Sequence, residues 1–280
     1  MRRLRLAAVL LALAGAWTAV ALAPDAVEAQ YFGRNKVQYK DFDFAVLETE
    51  HFDIYYYEAQ EGVVEEVGRM AERWYARLSR VLDHDLRGRQ PIVIYANHVD
   101  FEQTNAVPGQ IGESTGGLTE FLKRRIVLPM GGTLSETDHV LGHELVHAFQ
   151  YDLTGAGPNA VGLDVPVAAR MPLWFIEGMA EYLSVGSTDP FKGQWMRGAV
   201  EAGEMPDWGE LSDPRYFPYH FGHSLWSYVG GRFGDDKVGA LLKAAAGAGN
   251  MRRAFARVLG VPPDTLIRDW HDATREVQEP

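Results

Sequence analysis

The sequence predicts an α+β fold: a small N-terminal mixed sheet with helices, packed beside a mainly helical C-terminal lobe. Three observations lead there. Strand-like runs are confined to the part before residue 130, at 42–46, 51–57, 91–95 and 117–129. One helical pattern interrupts them at 61–83. From about residue 135 onward the apolar periodicity is mainly helical.

Taken in order, residues 30–57 read as extended. Val37 and Tyr39 alternate, the register breaks near Asp41, and Phe42, Phe44 and Val46 resume it. Ile54 with Tyr55, Tyr56 and Tyr57 marks a second strand. Val63, Val67, Met70, Trp74, Leu78 and Val81 then recur at helical spacing. Residues 91–95 form a short buried strand, and 105–117 are a Gly-rich loop. Residues 117–121 and 125–129 predict a hairpin turning near Lys123 and Arg124. Pro129 suits a sheet edge, because proline offers no N–H to a ladder. An edge at that point is where an extended peptide could add as a strand.

The following helix is expected to start near Ser135 or Thr137, both competent N-caps, with Glu136 and Asp138 in its first turn. It should end around Gly155. Pro172 opens a second helix through Leu183. Helices at roughly 219–233, 235–246, 249–259 and 262–276 complete the lobe, and 276–280 read as a polar tail or linker.

Residues 1–29 carry the pattern of an export leader. Arg2, Arg3 and Arg5 precede an apolar run from Leu6 to Leu22, and Val27 to Ala29 offers a cleavage site before Gln30. The remainder is expected to be periplasmic or extracellular, without stable membrane insertion. It is read as one domain over 30–275, with a sheet lobe at about 30–134 and a helical lobe at about 135–275. Acidic residues outnumber basic ones, 38 against 27, for a net charge of -11, which argues against nucleic-acid binding. There is no cysteine, which excludes disulfides, thiol catalysis and iron–sulfur clusters. Any metal must therefore be held by histidine and carboxylate.

The run from Val140 to Phe149 contains His143, Glu144 and His147 in an H-E-x-x-H pattern on what reads as an amphipathic helix. Residues four apart share a helix face, so both imidazoles can reach one zinc ion, and Glu144 can meet a water beside it. A catalytic zinc needs a third protein ligand and an open position. The best candidate is Glu177, in the apolar segment Pro172 to Tyr182, where Gly178 would let the second helix approach the first. Glu181 lies one turn later and is placed to accept a hydrogen bond from the far nitrogen of a ligating histidine. His139 shares the face of His143 and is expected near the cleft rather than as a ligand. The Lys123, Arg124 and Arg125 cluster reads as a solvated hairpin tip, and His51, His84, His98 and His271 show no partner pattern.

His143-Glu-x-x-His147 followed by Trp174-Phe-x-Glu-Gly-x-Ala-Glu-Tyr182 resembles the gluzincin clan of zinc peptidases, the thermolysin-like and M1-aminopeptidase-like enzymes. The resemblance implies one zinc held by His143, His147 and Glu177, with Glu181 orienting a histidine. The spacing from His147 to Glu177 is longer than is usual in either group, with the excess assigned to a loop at 155–171. Over nearly all of 30–275 the chain is similar to the peptidase-MA-like domain. The segments Tyr31 to Tyr39 and Leu47 to Tyr57 resemble the start of secreted bacterial proteins that carry this domain ahead of a Tol-type β-propeller. A C-terminal propeller domain or partner is therefore an implied companion.

The implied chemistry is peptide hydrolysis, with Glu144 as general base and a peptide or protein as substrate. Members of the clan use a Tyr or His from a later segment to stabilise the oxyanion. The segment Tyr216 to Ser224 offers Tyr216, Tyr219, His220 and His223, of which Tyr219 is the first choice. M1 aminopeptidases carry a G-x-M-x-N segment, and the region Gly112 to Gly116 does not match it, which leans toward an endopeptidase. A catalytically silent peptide-binding module on the same fold is the alternative. A non-peptidase metal hydrolase is a third reading.

Overall fold

A computed structural model of the chain describes residues 36, 38–107, 109–155 and 165–278 and has an α+β fold. The leader read at 1–29 and the alternation assigned to Val37 lie outside the described residues. The sheet has five strands: β1 (Ala45–Glu48), β2 (Phe52–Tyr56), β3 (Gln90–Tyr95), β4 (Leu118–Glu120) and β5 (Arg125–Pro129). Their spatial order is β1-β2-β3-β5-β4. The three central strands run parallel, and β1 and β4 pair antiparallel at the two ends.

Period-two alternation sorts this sheet into two faces. Phe52, Ile54, Ile92, Ile94, Ile126 and Leu128 enter the main core beneath the helices. Tyr95 and Val127 point the other way, where Phe42, Phe44, Tyr57 and Phe101 cover them. Phe42 and Phe44 therefore act as a cap on the outer face and belong to no strand. Phe101 comes from α2 (His98–Phe101), a single turn whose Asn97 N-cap was not foreseen.

One expectation about the edge is corrected. Pro129 sits on β5, inside the sheet, opposite Tyr95 of β3. The edge strand is β4. Its register with β5 ends at Leu118 opposite Val127, two residues short of Pro129, so the missing N–H leaves no ladder bond unmade.

The helix α1 (Val64–Leu82) packs across the sheet and against α3 (Leu134–Thr154). The crossing is built around Gly142: a methyl there would lie 2.6 Å from the Trp74 ring. The Trp74 indole N–H in turn reaches the Asp138 carbonyl at 3.1 Å, so α1 fixes both the depth and the roll of α3. The start of α3 also differs from expectation. Thr133 is the N-cap, in a capping box with Glu136, while the Thr137 hydroxyl accepts the Gly131 N–H at 2.9 Å. Every residue from Leu141 to Gln150 is buried, so α3 is a central helix rather than an amphipathic one.

The rest of the lobe is α4 (Leu173–Val185), α5 (Pro190–Ala202), α6 (Pro218–Phe233), α7 (Asp236–Ala248), α8 (Met251–Leu259) and α9 (Pro263–Gln278). Helix α5 was not anticipated, although Asp189 as N-cap, Pro190 at the first turn and Gly203 at the C-cap are ordinary helix punctuation. Helix α9 runs on through Gln278, past the expected tail boundary. No helix among the described residues is long and apolar enough to cross a membrane.

The expected role of Gly178 is corrected too. It faces α6, not α3: a methyl on Gly178 would lie 2.4 Å from the Gly222 backbone, and one on Gly222 would lie 2.2 Å from the Trp174 carbonyl oxygen. Two glycines thus let α4 and α6 touch backbone to backbone, which draws the start of α6 over the face of α4 that carries Glu177 and Glu181.

Candidate metal centre

Four residues of α3 and α4 converge. His143 Nε2 and His147 Nε2 are 3.1 Å apart, and Glu177 Oε2 lies 3.1 Å from the first and 3.2 Å from the second. The outer nitrogens decide which atoms carry protons. His143 Nδ1 lies 2.8 Å from Glu181 Oε1, an acceptor, so Nδ1 carries the proton. Gln150 is fully buried and donates its amide N–H to the Ile176 carbonyl at 3.0 Å. Its oxygen therefore faces His147 Nδ1, at 2.8 Å, and that nitrogen too must donate. In the neutral imidazoles both Nε2 lone pairs then point into one small space beside a carboxylate oxygen.

Three lone-pair atoms so placed repel one another unless a proton or a cation lies between them. A tetrahedral ion bonded at about 2.0–2.2 Å holds its ligand atoms about 3.3–3.6 Å apart. The observed triangle is within a few tenths of an ångström of that. Two imidazole nitrogens and one carboxylate oxygen, with orienting partners on both outer nitrogens, fit a zinc ion. These three residues form one of two His/Glu clusters among the described residues able to hold a metal; the other joins His139, His143 and Glu181. That second cluster is less suited to a cation, because the Lys192 ammonium already occupies Glu181 Oε2 at 2.7 Å.

The electrostatics follow from burial against pairing. Burial opposes charge on His143, but hydrogen bonds to Glu177 and Glu181 outweigh it and push its pKa up to about 10. Burial likewise raises Glu177 and Glu181, yet their hydrogen-bonded histidines, joined at Glu181 by Lys192, hold both carboxyls well below the usual carboxylate range. Lys192, buried on α5 and paired with Glu181 and with Asp189 at 3.4 Å, is a residue the sequence did not disclose. Gln150 was missed as well; its signal was an amide three residues past His147 on an otherwise apolar stretch.

Glu144 is buried on the cleft side of α3. Its Oε2 accepts the Thr119 hydroxyl at 2.7 Å. The cleft beside it has a volume of about 610 Å³ and is bordered by Ser114 to Gly117, His139, Val140, His143, Glu144, Glu181 and Lys192, with Phe191, Phe217, Tyr219 and His220. Of the four later candidates, Tyr219 and His220 line this cleft. Tyr219 stacks on His143 with ring centres 5.8 Å apart. Burial, then the charge of and a hydrogen bond to Glu177, raise its phenol well above the usual range, so it stays protonated. Tyr216 instead packs on Phe221, and His223 Nε2 donates to the Gly186 carbonyl at 2.8 Å, so neither reaches the cleft. Tyr151, also unforeseen, stacks on His147, and burial together with Glu177 and Glu144 pushes its hydroxyl up to about 12.

The remaining sequence candidates are structural. His139 lies 3.6 Å from Glu181 at the cleft wall. The hairpin tip is only partly solvated: Arg124 pairs with buried Asp152 at 2.9 Å, where His84 and Arg87 also converge. His84 thus has a partner after all.

A family model described as BSP, peptidase of plants and bacteria, matches residues 127–214. Among curated proteins, none matches the chain. The matched stretch runs from β5 to the segment before α6, so it contains His143, Glu144, His147, Glu177 and Glu181 and stops short of Tyr219. In the part that carries these residues, the chain is similar to a peptidase family.

Proposed function

We propose that this chain is an exported zinc-dependent metallopeptidase of gluzincin type that hydrolyses peptide bonds in peptide or protein substrates. One observation carries the reading. Three lone-pair atoms of His143, His147 and Glu177 converge within 3.2 Å, and His143 lines one open cleft together with Glu144. The similarity of 127–214 to a peptidase family supports it independently.

His143, His147 and Glu177 would hold the ion, with Glu181 and Gln150 fixing the two imidazole planes. Zinc, when bound, supplies Lewis-acid activation of water and of the scissile carbonyl. Glu144 takes a proton from the attacking water as the new C–O bond forms, and delivers it to the leaving nitrogen as the C–N bond breaks. Tyr219, protonated throughout the working pH range, donates its O–H to the developing oxyanion. The short edge strand β4 borders this region, so an extended substrate pairing along its open side would lie across the cleft. The missing aminopeptidase segment favours internal cleavage. Export rests on the 1–29 leader, the peptidase-MA-like domain is taken as 30–275, and a C-terminal propeller remains the implied partner.

Cleavage of a mixed peptide library by residues 30–280 tests this, with Glu144→Gln as the control. The expected result is cutting by the wild type that falls about 10²- to 10⁴-fold in the variant while its zinc is retained. Equal cutting by both, or none by the zinc-loaded wild type, would overturn the reading.

A further inference from the structure

The side chain that donates to the Glu144 carboxylate comes from the sheet, not from α3 or α4. We propose that Thr119, on the edge strand β4, is a positioning residue that seats the carboxylate of Glu144 for proton transfer. This rests on the reading of Glu144 as the general base.

Thr119 Oγ1 lies 2.7 Å from Glu144 Oε2 and 2.9 Å from the Glu144 main-chain oxygen. An ionised carboxylate and a carbonyl can only accept, so the single hydroxyl proton is shared between the two ends of one residue. Among the described residues, no other side chain donates to this carboxylate. The opposite side of Glu144 is shaped by an absence. Gly117 is two residues before Thr119, and a methyl there would lie 2.9 Å from Glu144 Cγ and 3.1 Å from Oε1. Oε2 is thus anchored to the strand, and Oε1 is left beside Gly117, where both residues line the cleft.

The strand can hold such a position. Thr119 is β-branched, so its χ1 is stiff, and its backbone is in register with Ile126 of β5. Without the hydroxyl, the flexible glutamate side chain would have no side-chain donor to keep it facing the cleft. A base displaced by about 1 Å from its productive position loses about 100-fold in rate. The arrangement also has a consequence for substrate. The strand whose open side could receive a peptide backbone is the one that holds the base, so scissile bond and base share one frame of reference.

The test compares Thr119→Val, which keeps shape and β-branching but removes the hydroxyl, with Thr119→Ser, which keeps the hydroxyl. Both are assayed for kcat, KM, zinc content and thermal unfolding. Thr119→Val is expected to lower kcat about 10- to 100-fold with KM within about twofold, one zinc retained and unfolding little changed. Thr119→Ser is expected to restore most of kcat. A Thr119→Val enzyme with wild-type kcat would overturn the proposal, as would equal losses in both variants. Loss of zinc in Thr119→Val alone would also overturn it, because the strand would then be supporting the metal helix rather than the base. Failure of the underlying reading looks different: the wild type would not cut, or Glu144→Gln would.

Discussion

Two imidazole nitrogens and a carboxylate oxygen within 3.2 Å of one another favour a positive charge among them, a proton on His143 or a cation. This gives the site a defined response to pH. Burial works against it, but hydrogen bonds to Glu177 and Glu181 raise His143 from 6.5 to about 10. A proton held more tightly by the folded than by the unfolded chain stabilises fully below pH 6.5, and that contribution is lost as pH rises toward 10. Glu177 and Glu181 are shifted down from 4.5, so their contribution is present above that pH and lost on acidification. A bound cation replaces the proton. The gap in Tm between zinc-loaded and stripped protein should therefore widen as pH rises from 6.5 toward 10, measured by thermal unfolding of both forms. A gap that is constant or narrows over this range would count against the shared-proton account. At this scale the sequence revealed residues whose convergence follows from helix periodicity: His143 and His147 four apart, Glu177 and Glu181 four apart. It concealed Lys192, Gln150, Tyr151 and Thr119. Thr119 and Lys192 act across long-range contacts that no local pattern encodes, and Gln150 matters only because α3 is buried on that side as well.

At the scale of elements, the candidate metal centre depends on how closely four helices meet. Gly142 admits the Trp74 ring and seats α3 on α1, while Gly178 and Gly222 bring α4 and α6 into backbone contact. The other end of α3 is tied down by buried Asp152, which gathers His84 at 2.8 Å, Arg87 at 3.1 Å and Arg124 at 2.9 Å. Gly222→Ala should force α6 away from Trp174 and α4, since its methyl would meet a carbonyl oxygen that cannot move alone. We expect a loss of about 1–3 kcal/mol, read by urea unfolding, together with reduced activity as Tyr219 retreats from His143. Unchanged stability and activity would show that the crossing is not tight. Helix and strand positions were largely legible because periodicity and capping are local. The partner of Gly178, the interior place of β5 and the burial of α3 on all sides were not, because they depend on which element packs against which. Helix α5 is different in kind: Asp189, Pro190 and Gly203 were visible as cap signals, but its half-exposed, mixed composition gave little periodic contrast.

For the whole molecule, the arrangement is one of division of labour. The helical part supplies the converging donors and their orienting partners. The sheet supplies an open edge, and through Thr119 and Gly117 it meets the carboxylate of Glu144, the proposed base. The α+β class, the order of the main elements and the convergence of His143, His147 and Glu177 could be read from the chain, whereas the full lining of the cleft could not, since it is assembled from residues 114–117 and four separate helices. Everything proposed for its chemistry depends on a single ion at the meeting point of α3 and α4. The most direct test is the zinc content per chain of purified residues 30–280, measured for the wild type beside His147→Ala and Glu144→Gln. One zinc in the wild type and in Glu144→Gln, with loss in His147→Ala, is the predicted result. No zinc in the wild type after exposure to it, or one zinc undiminished in His147→Ala, would contradict the account.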